Sequence, residues 1–253
     1  MKTSVCVVVV LPTYNERHSI GDLVTEILAA SAMIEVVIVD DNSPDGTGAI
    51  ADEMSRQDSR VMVIHRRSKL GLGSAYRAGF RFALARGATH VVTMDADYSH
   101  NPRYLSSLIA LADTYDIGVG SRYVAGAGIA KDWGWQRKAL SRIANSVTRF
   151  SLGLRTHDCT SGFRCYRRRV IESIDGENIK ANGYSFLVES MCFARDLGFS
   201  LGESPIFFEN RSQGMSKIGW GEVVKAVSTV CRLCWLRIRP RSGDFSDLSR
   251  EQL

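Results

Sequence analysis

Between residues 5 and 120, short unbroken apolar runs alternate with segments of helical period, and few folds accommodate that order. Val5–Leu11 is continuously apolar and rich in β-branched residues, which suits a strand covered on both faces, as in a parallel sheet. Residues 18–30 then place Ile20, Leu23, Val24, Ile27 and Leu28 at helical spacing. The alternation continues with strands at Ile34–Val39, Val61–Ile64, Val91–Met94 and Ile117–Gly120. Ser43 reads as an N-cap with Pro44 at the first helical position, opening a helix to about Met54. A further helix runs through Tyr76 to Leu84, and Pro102 starts another. The pattern predicts an α/β fold with a mostly parallel central sheet flanked by helices.

Beyond Gly120 the pattern loosens. Val124 to Trp133 is rich in glycine and alanine and is expected to be a mobile loop. Gln136 to Leu152 reads as a basic amphipathic helix, and Phe163–Tyr166 and Ser204–Phe208 as short strands with a helix from Phe186 to Leu197 between them. Gly219 to Ile238 is a last amphipathic helix, followed by a polar stretch. With no repeat and no linker, the expectation is one domain over residues 1–238 and a disordered tail over 239–253.

Hydrophobic residues make up 45% of the 253 and charged residues 23%, which excludes wholesale disorder. The net charge of +5 is too small to imply a nucleic-acid partner. Its distribution says more: residues 131–169 carry +8 and residues 225–241 carry +5, which leaves the remainder at −8. The basic part suits an anionic membrane surface or a phosphate ligand, and the acidic part suits a metal. The six cysteines are scattered and read as reduced thiols of a cytosolic protein. No stretch approaches the roughly 18 apolar residues of a membrane helix, so the chain is not expected to span a bilayer.

Ligands of open α/β sheets sit at the carboxyl ends of the strands. Those ends carry Pro12–Glu16, Asp40-Asp41, Asp95-Ala96-Asp97 and Arg122. Asp40 alone reads as a cap of the following helix. Asp95 and Asp97 point the same way if strand geometry persists, and such hard oxygen donors suit Mg²⁺ or Mn²⁺ shared with a substrate diphosphate. His100 follows them closely and reads as structural. Neither a G-x-G-x-x-G between the first strand and helix nor a G-x-x-x-x-G-K-[ST] is present, which removes the dinucleotide and P-loop classes.

Pro12-Thr13-Tyr14-Asn15-Glu16, Val39 to Thr47 and Asp95-Ala96-Asp97 together resemble the donor-site motifs of family 2 glycosyltransferases of the GT-A fold. Gly120-Ser121-Arg122-Tyr123, Thr160 to Tyr166, and Asn210-Arg211 with Gly214-Met215-Ser216-Lys217 resemble the dolichyl- or polyprenyl-phosphate mannose synthases within it. That resemblance implies a metal-dependent, inverting transfer of mannose from GDP-mannose to dolichyl or polyprenyl phosphate. It assigns Pro12, Tyr14, Glu16, Val39, Asp41 and Ala96 to the nucleotide, and Asp95 and Asp97 to the metal and diphosphate. Arg122, Arg211 and Lys217 fall near the transferred phosphates, with Asp97 and Arg122 central to catalysis. Arg137 and Ser141, four residues apart on a helix, match an acceptor-phosphate pair that Arg122 would join. The Lys69–Gly73 turn would lie near the nucleotide.

Two further readings stay open: a polyprenyl-phosphate glucose or aminosugar synthase using a UDP-sugar, and a non-catalytic subunit of a membrane glycosylation complex. The expected setting is the cytosolic face of a membrane, reached peripherally through the basic helices or through small membrane-embedded partner subunits.

Overall fold

The computed structural model describes residues 5–130, 134–175, 179, 181–183, 185–209 and 220–238. The elements are β1 (Val7–Thr13), α1 (Ile20–Ala30), β2 (Ile34–Asp40), α2 (Thr47–Gln57), β3 (Val61–His65), α3 (Leu72–Ala85) and β4 (His90–Thr93). After a 3₁₀ turn at Pro102–Tyr104 come α4 (Leu105–Leu111), β5 (Ile117–Ser121), β6 (Gly128–Ile129), α5 (Trp135–Leu152) and β7 (Arg164–Arg167). The described chain ends with α6 (Arg168–Asp175), α7 (Ser185–Asp196), β8 (Leu201–Pro205), β9 (Phe207–Phe208) and α8 (Trp220–Ile238).

Among the described residues, seven strands form a sheet in the order β3-β2-β1-β4-β7-β5-β8. All neighbours are parallel except β7, which runs antiparallel between β4 and β5. The unbroken apolar run of β1 has a physical cause. Val8 and Val10 face one core cluster with Tyr76, Phe80 and Phe186, while Val7, Val9 and Leu11 face another with Ile20, Leu23 and Leu105. Both faces are therefore dry, and each buried Val or Leu side chain contributes about 1.5–3 kcal/mol. Helix α3 lies directly on β1 because Gly79 has no side chain; a Cβ there would sit 2.3 Å from Val10 Cγ1.

Three local expectations are corrected. The helix expected from Pro44 begins at Thr47. The Asp40 carboxylate captures the Ser43 hydroxyl and N–H, and Asp45 accepts from Thr47 N–H, so the chain turns before it coils. The stretch expected to be a mobile loop contains β6, paired in parallel with β9; residues 131–133 and the tail 239–253 lie outside the described residues. Helix α6 was not expected at all. Its Val170, Ile171 and Ile174 are buried, a helical signal obscured by the basic run Arg167-Arg168-Arg169.

Candidate active site

Strands β1, β2 and β4 are in parallel register, so their carboxyl ends open on one side of the sheet. A cleft of about 210 Å³ lies there. Its walls are Pro12, Thr13, Tyr14 and Glu16 after β1, Asp41 after β2, Lys69, Gly71, Leu72 and Ala75 around the start of α3, and Asp95, Ala96 and Asp97 after β4, with Gly183 opposite. Each of the three strand ends is followed by a residue in the left-handed region: Asn15 (φ 59°), Asn42 (φ 58°) and Tyr98 (φ 63°). Asparagine tolerates this conformation, whereas tyrosine costs about 1–2 kcal/mol there. The Tyr98 hydroxyl donates to Glu26 Oε1 at 3.1 Å, which anchors the strained turn.

Asp97 is 5% exposed. Its Oδ1 accepts the Ser99 N–H at 3.1 Å and the Ser99 hydroxyl at 2.5 Å, which fixes the carboxylate plane. Asp95 Oδ1 accepts from the Tyr76 hydroxyl at 3.4 Å. The Asp95 N–H donates to His100 Nδ1 at 3.1 Å. Accepting that hydrogen bond requires an unprotonated Nδ1, so the ring is neutral with its proton on Nε2, and burial, which pushes the His100 pKa down, favours the same form. The 3.8 Å approach of Asp95 Oδ2 to Nδ1 is thus not an ion pair. His100 stacks on Phe163 and acts as a prop beneath the carboxylates.

Two carboxylates are too few for a protein cage, and among the described residues no third His, Cys, Asp or Glu joins them. They fit a hard divalent cation whose remaining ligands are water and substrate phosphate.

The opposite wall is cationic and aromatic. Lys69 Nζ lies 4.1 Å above the centroid of the Tyr14 ring. Asp41 Oδ1 lies 2.7 Å from Arg66 Nε in an ion pair too bent for a hydrogen bond, and Asp41 Oδ2 accepts Leu70 N–H at 3.2 Å. Burial raises the Asp41 pKa, with Arg66 and the Gly71 and Leu70 N–H groups opposing it. Asp41 therefore braces the Lys69 turn as well as lining the cleft. Gly71 sits in that turn with φ +94°, and a Cβ would meet Asn182 O at 2.9 Å. Gly71→Ala is expected to lower folding stability by roughly 1–2 kcal/mol through backbone strain, as read by urea denaturation.

The residues expected at the site fall into four groups. Pro12, Tyr14, Glu16, Asp41, Asp95, Ala96 and Asp97 meet in the cleft, although the Ala96 carbonyl is already engaged by the Ser19 hydroxyl at 2.7 Å. Val39 does not line it; its side chain is fully buried in the core on the α3 side. Arg122 and Ser141 are placed, but with partners. The Arg122 guanidinium meets Asp158 through Nε and Nη2, each at 2.7 Å, and the Ser141 hydroxyl lies 2.8 Å from the Tyr123 hydroxyl. Arg211, Lys217 and the side chain of Arg137 lie outside the described residues. Sequence reasoning missed Asp158, Arg66 and Gly183. For Asp158 a signal existed: Asp-x-Thr favours a tight carboxylate turn, and a buried arginine needs a counterion.

Burial pushes the Asp158 pKa up, but the charge and hydrogen bonds of Arg122 outweigh it and hold the carboxyl below its ordinary 3.8. A folded-state pKa below the unfolded one stabilises fully above the unfolded value and is lost as pH falls through the folded value. Folding stability is expected to decline below about pH 4, and Asp158→Asn to flatten that decline in urea titrations across pH.

Residues 8–175 match the family model described as glycosyl transferase family 2. The chain belongs to that family. It is a glycosyltransferase, and its sheet and flanking helices are those of the GT-A fold. Over 88% of its length it is 45% identical to the polyprenol monophosphomannose synthase of Mycolicibacterium smegmatis, of which it covers 84%. Over 94% it is 40% identical to the undecaprenyl-phosphate mannosyltransferase of Micrococcus luteus, of which it covers 99%. Among solved structures, the glycosyltransferase resembles glucosyl-3-phosphoglycerate synthase from Mycobacterium tuberculosis, determined with Mn²⁺, UDP-glucose and phosphoglyceric acid. The TM-score is 0.66 at 19% identity, covering 95% of this chain and 82% of that one.

Proposed function

We propose that this glycosyltransferase moves mannose from GDP-mannose to a polyprenyl phosphate, with inversion, at the cytosolic face of a membrane. The observation that carries the reading is the cleft itself, in which a nucleotide wall (Tyr14, Lys69, Asp41) faces a carboxylate pair (Asp95, Asp97). The two mannosyltransferase relatives, matched over nearly the whole chain, supply the sugar and the acceptor class.

The chemistry follows from charge. A lipid monophosphate oxygen is already anionic near neutral pH, so the nucleophile needs no strong base. In-line attack forms the phosphate–sugar bond while the bond from the anomeric carbon to the diphosphate breaks, turning an α-linked donor into a β-linked product. Asp95 and Asp97 would hold Mg²⁺ or Mn²⁺, which neutralises charge gathering on the departing diphosphate. Arg122 meets the same charge from the end of β5, and Arg211 and Lys217 are assigned to the donor phosphates. Arg137 and Ser141 on α5 are assigned to the acceptor phosphate; Ser141 would exchange Tyr123 for that ligand.

Among the described residues no helix is long and apolar enough to cross a membrane. Instead α5 presents Trp135, Leu140, Ile143, Val147 and Phe150 to solvent, each more than half exposed, and α8 presents Trp235 and Leu236 beside Arg237. An amphipathic helix with basic flanks suits an anionic bilayer surface. Binding to anionic vesicles is expected to weaken as salt rises from about 0.1 to about 1 M, where the screening length falls from about 10 to about 3 Å. Ile143→Asp with Val147→Asp is expected to abolish it in a flotation assay. Salt-insensitive binding that survives both changes would point to a partner subunit instead.

The deciding experiment is a donor panel of GDP-mannose, UDP-glucose and UDP-N-acetylglucosamine with a polyprenyl phosphate. Transfer from GDP-mannose alone is the expected result. Transfer from a UDP-sugar alone would move the chain to the glucose or aminosugar synthases, and binding without transfer would mark a non-catalytic subunit.

A further inference from the structure

Arg122 is 9% exposed at the end of β5, so its charge has to be met inside the protein. Asp158, fully buried, meets it with both oxygens: Oδ2 accepts from Nε and Oδ1 from Nη2, each at 2.7 Å. Oδ2 also accepts the Arg122 backbone N–H at 3.0 Å, so side chain and main chain of the arginine are gripped by one carboxylate. The Thr160 hydroxyl accepts a further Nη2 hydrogen bond at 2.7 Å. Among the described residues, Nη1 is the guanidinium nitrogen that neither Asp158 nor Thr160 engages.

The turn that carries Asp158 is itself clamped from two elements. Glu203 on β8 accepts the N–H groups of His157 and Asp158 at 2.8 and 3.0 Å. Asn145 on α5 accepts the Cys159 N–H at 2.9 Å and donates to the His157 carbonyl. This is more hydrogen bonding than an ion pair needs in order to persist. It defines an orientation.

The Arg122 guanidinium lies 5.2 Å over the Phe208 ring, the edge of that ring meets His100 at 5.5 Å, and His100 accepts the Asp95 N–H, so the Arg122 pair and the cleft carboxylates share one wall of side chains. A buried guanidinium beside Asp95 without its own counterion would turn toward Asp95 and occupy the carboxylate meant for the donor.

We propose that Asp158 is a positioning residue for the transfer, holding Arg122 in one orientation with Nη1 left for phosphate and keeping it off Asp95. Asp158 itself touches no substrate. The inference rests on the reading that Arg122 meets the transferred phosphates.

The test is a double-mutant cycle with a short, water-soluble prenyl phosphate as acceptor. Asp158→Asn removes the charge and keeps the shape. It is expected to lower kcat about 10- to 100-fold, the scale for a misplaced group, while donor binding by calorimetry stays within about threefold. Arg122→Gln is expected to lose at least as much, and adding Asp158→Asn to it should cost nothing further, because the arginine to be positioned is gone. The double variant leaves no unpaired buried charge, so it keeps the question open to measurement even if Asp158→Asn alone unfolds. A folded Asp158→Asn enzyme with wild-type kcat and acceptor KM overturns the proposal. So does a double variant whose loss is the product of the single losses, since Asp158 would then act by a separate route. A wild-type enzyme that transfers to no prenyl phosphate sinks the reading of Arg122 instead, and the inference falls with it.

Discussion

Asp97→Ala is expected to lower turnover by at least about 10²–10³ while leaving the fold intact, the range found when one preorganised electrostatic contact is removed. The carboxylate is 5% exposed yet forms part of the cleft wall, and Ser99 holds one of its oxygens with two hydrogen bonds. Such an arrangement keeps charge aimed at a ligand at the cost of desolvation. Asp97→Asn separates the two functions of the group. Its amide oxygen still accepts from Ser99, so the turn survives, but the charge is lost. Asp97→Asn should therefore unfold near the wild-type temperature, Asp97→Ala somewhat below it because the Ser99 donors lose their acceptor, and both should share the loss in kcat. Near-wild-type turnover of Asp97→Asn in chelator-treated buffer with added Mn²⁺ would remove Asp97 from the chemistry.

The largest stability effect is expected at Arg164, in the middle of the sheet. Its side chain is fully buried on β7, where Nε donates to the Ser161 carbonyl at 2.8 Å, Nη1 to the Leu187 carbonyl at 2.7 Å and Nη2 to the Cys159 carbonyl at 2.9 Å. One guanidinium thus ties α7 to the turn beside Asp158. Arg164→Met fills much of the volume but takes a donor from three buried carbonyls, of which only Leu187 keeps a side-chain partner, the Ser190 hydroxyl, so the expected loss is about 3–5 kcal/mol. The urea midpoint should fall with the m-value unchanged. Arg164→Lys should recover only part, since an ammonium cannot span three carbonyls set for a planar fork. A loss under about 1 kcal/mol would show that water or a neighbour takes over these carbonyls.

The parallel half of the fold was legible because its physics is local. A strand dry on both faces must be continuously apolar, as β1 is over Val7–Leu11 and β2 over Val36–Val39; a helix on such a sheet must have a 3.6-residue stripe, and α1 does. The cleft was legible for a related reason, since several polar residues gathered at the carboxyl ends of parallel strands exceed what capping alone needs. What periodicity does not encode is strand order. Nothing in Phe163–Tyr166 says that the strand enters between β4 and β5, or that it runs backwards. Pairing between distant segments also escaped notice: Asp158 is 36 residues from Arg122, and only the fold brings them together. The cap misread at Ser43 is a competition between two legitimate turn chemistries, decided by the Asp40 carboxylate.

The reversed β7 also sets a timetable for synthesis. Strands β3, β2, β1 and β4 are neighbours in space and complete by residue 93, so the nucleotide wall can assemble early. Strand β5 is finished at residue 121 but pairs with β7 and β8, which are not made until residues 164–167 and 201–205. At roughly 5–20 residues per second, β5 waits about two to nine seconds for the strand that joins it to β4, and the open edge of β4 about four to fifteen. Unpaired edges in that interval are what chaperones bind and what aggregates form from. Arg122 leaves the ribosome well before Asp158, so the newborn enzyme carries most of its cleft wall some seconds before Arg122 has a counterion.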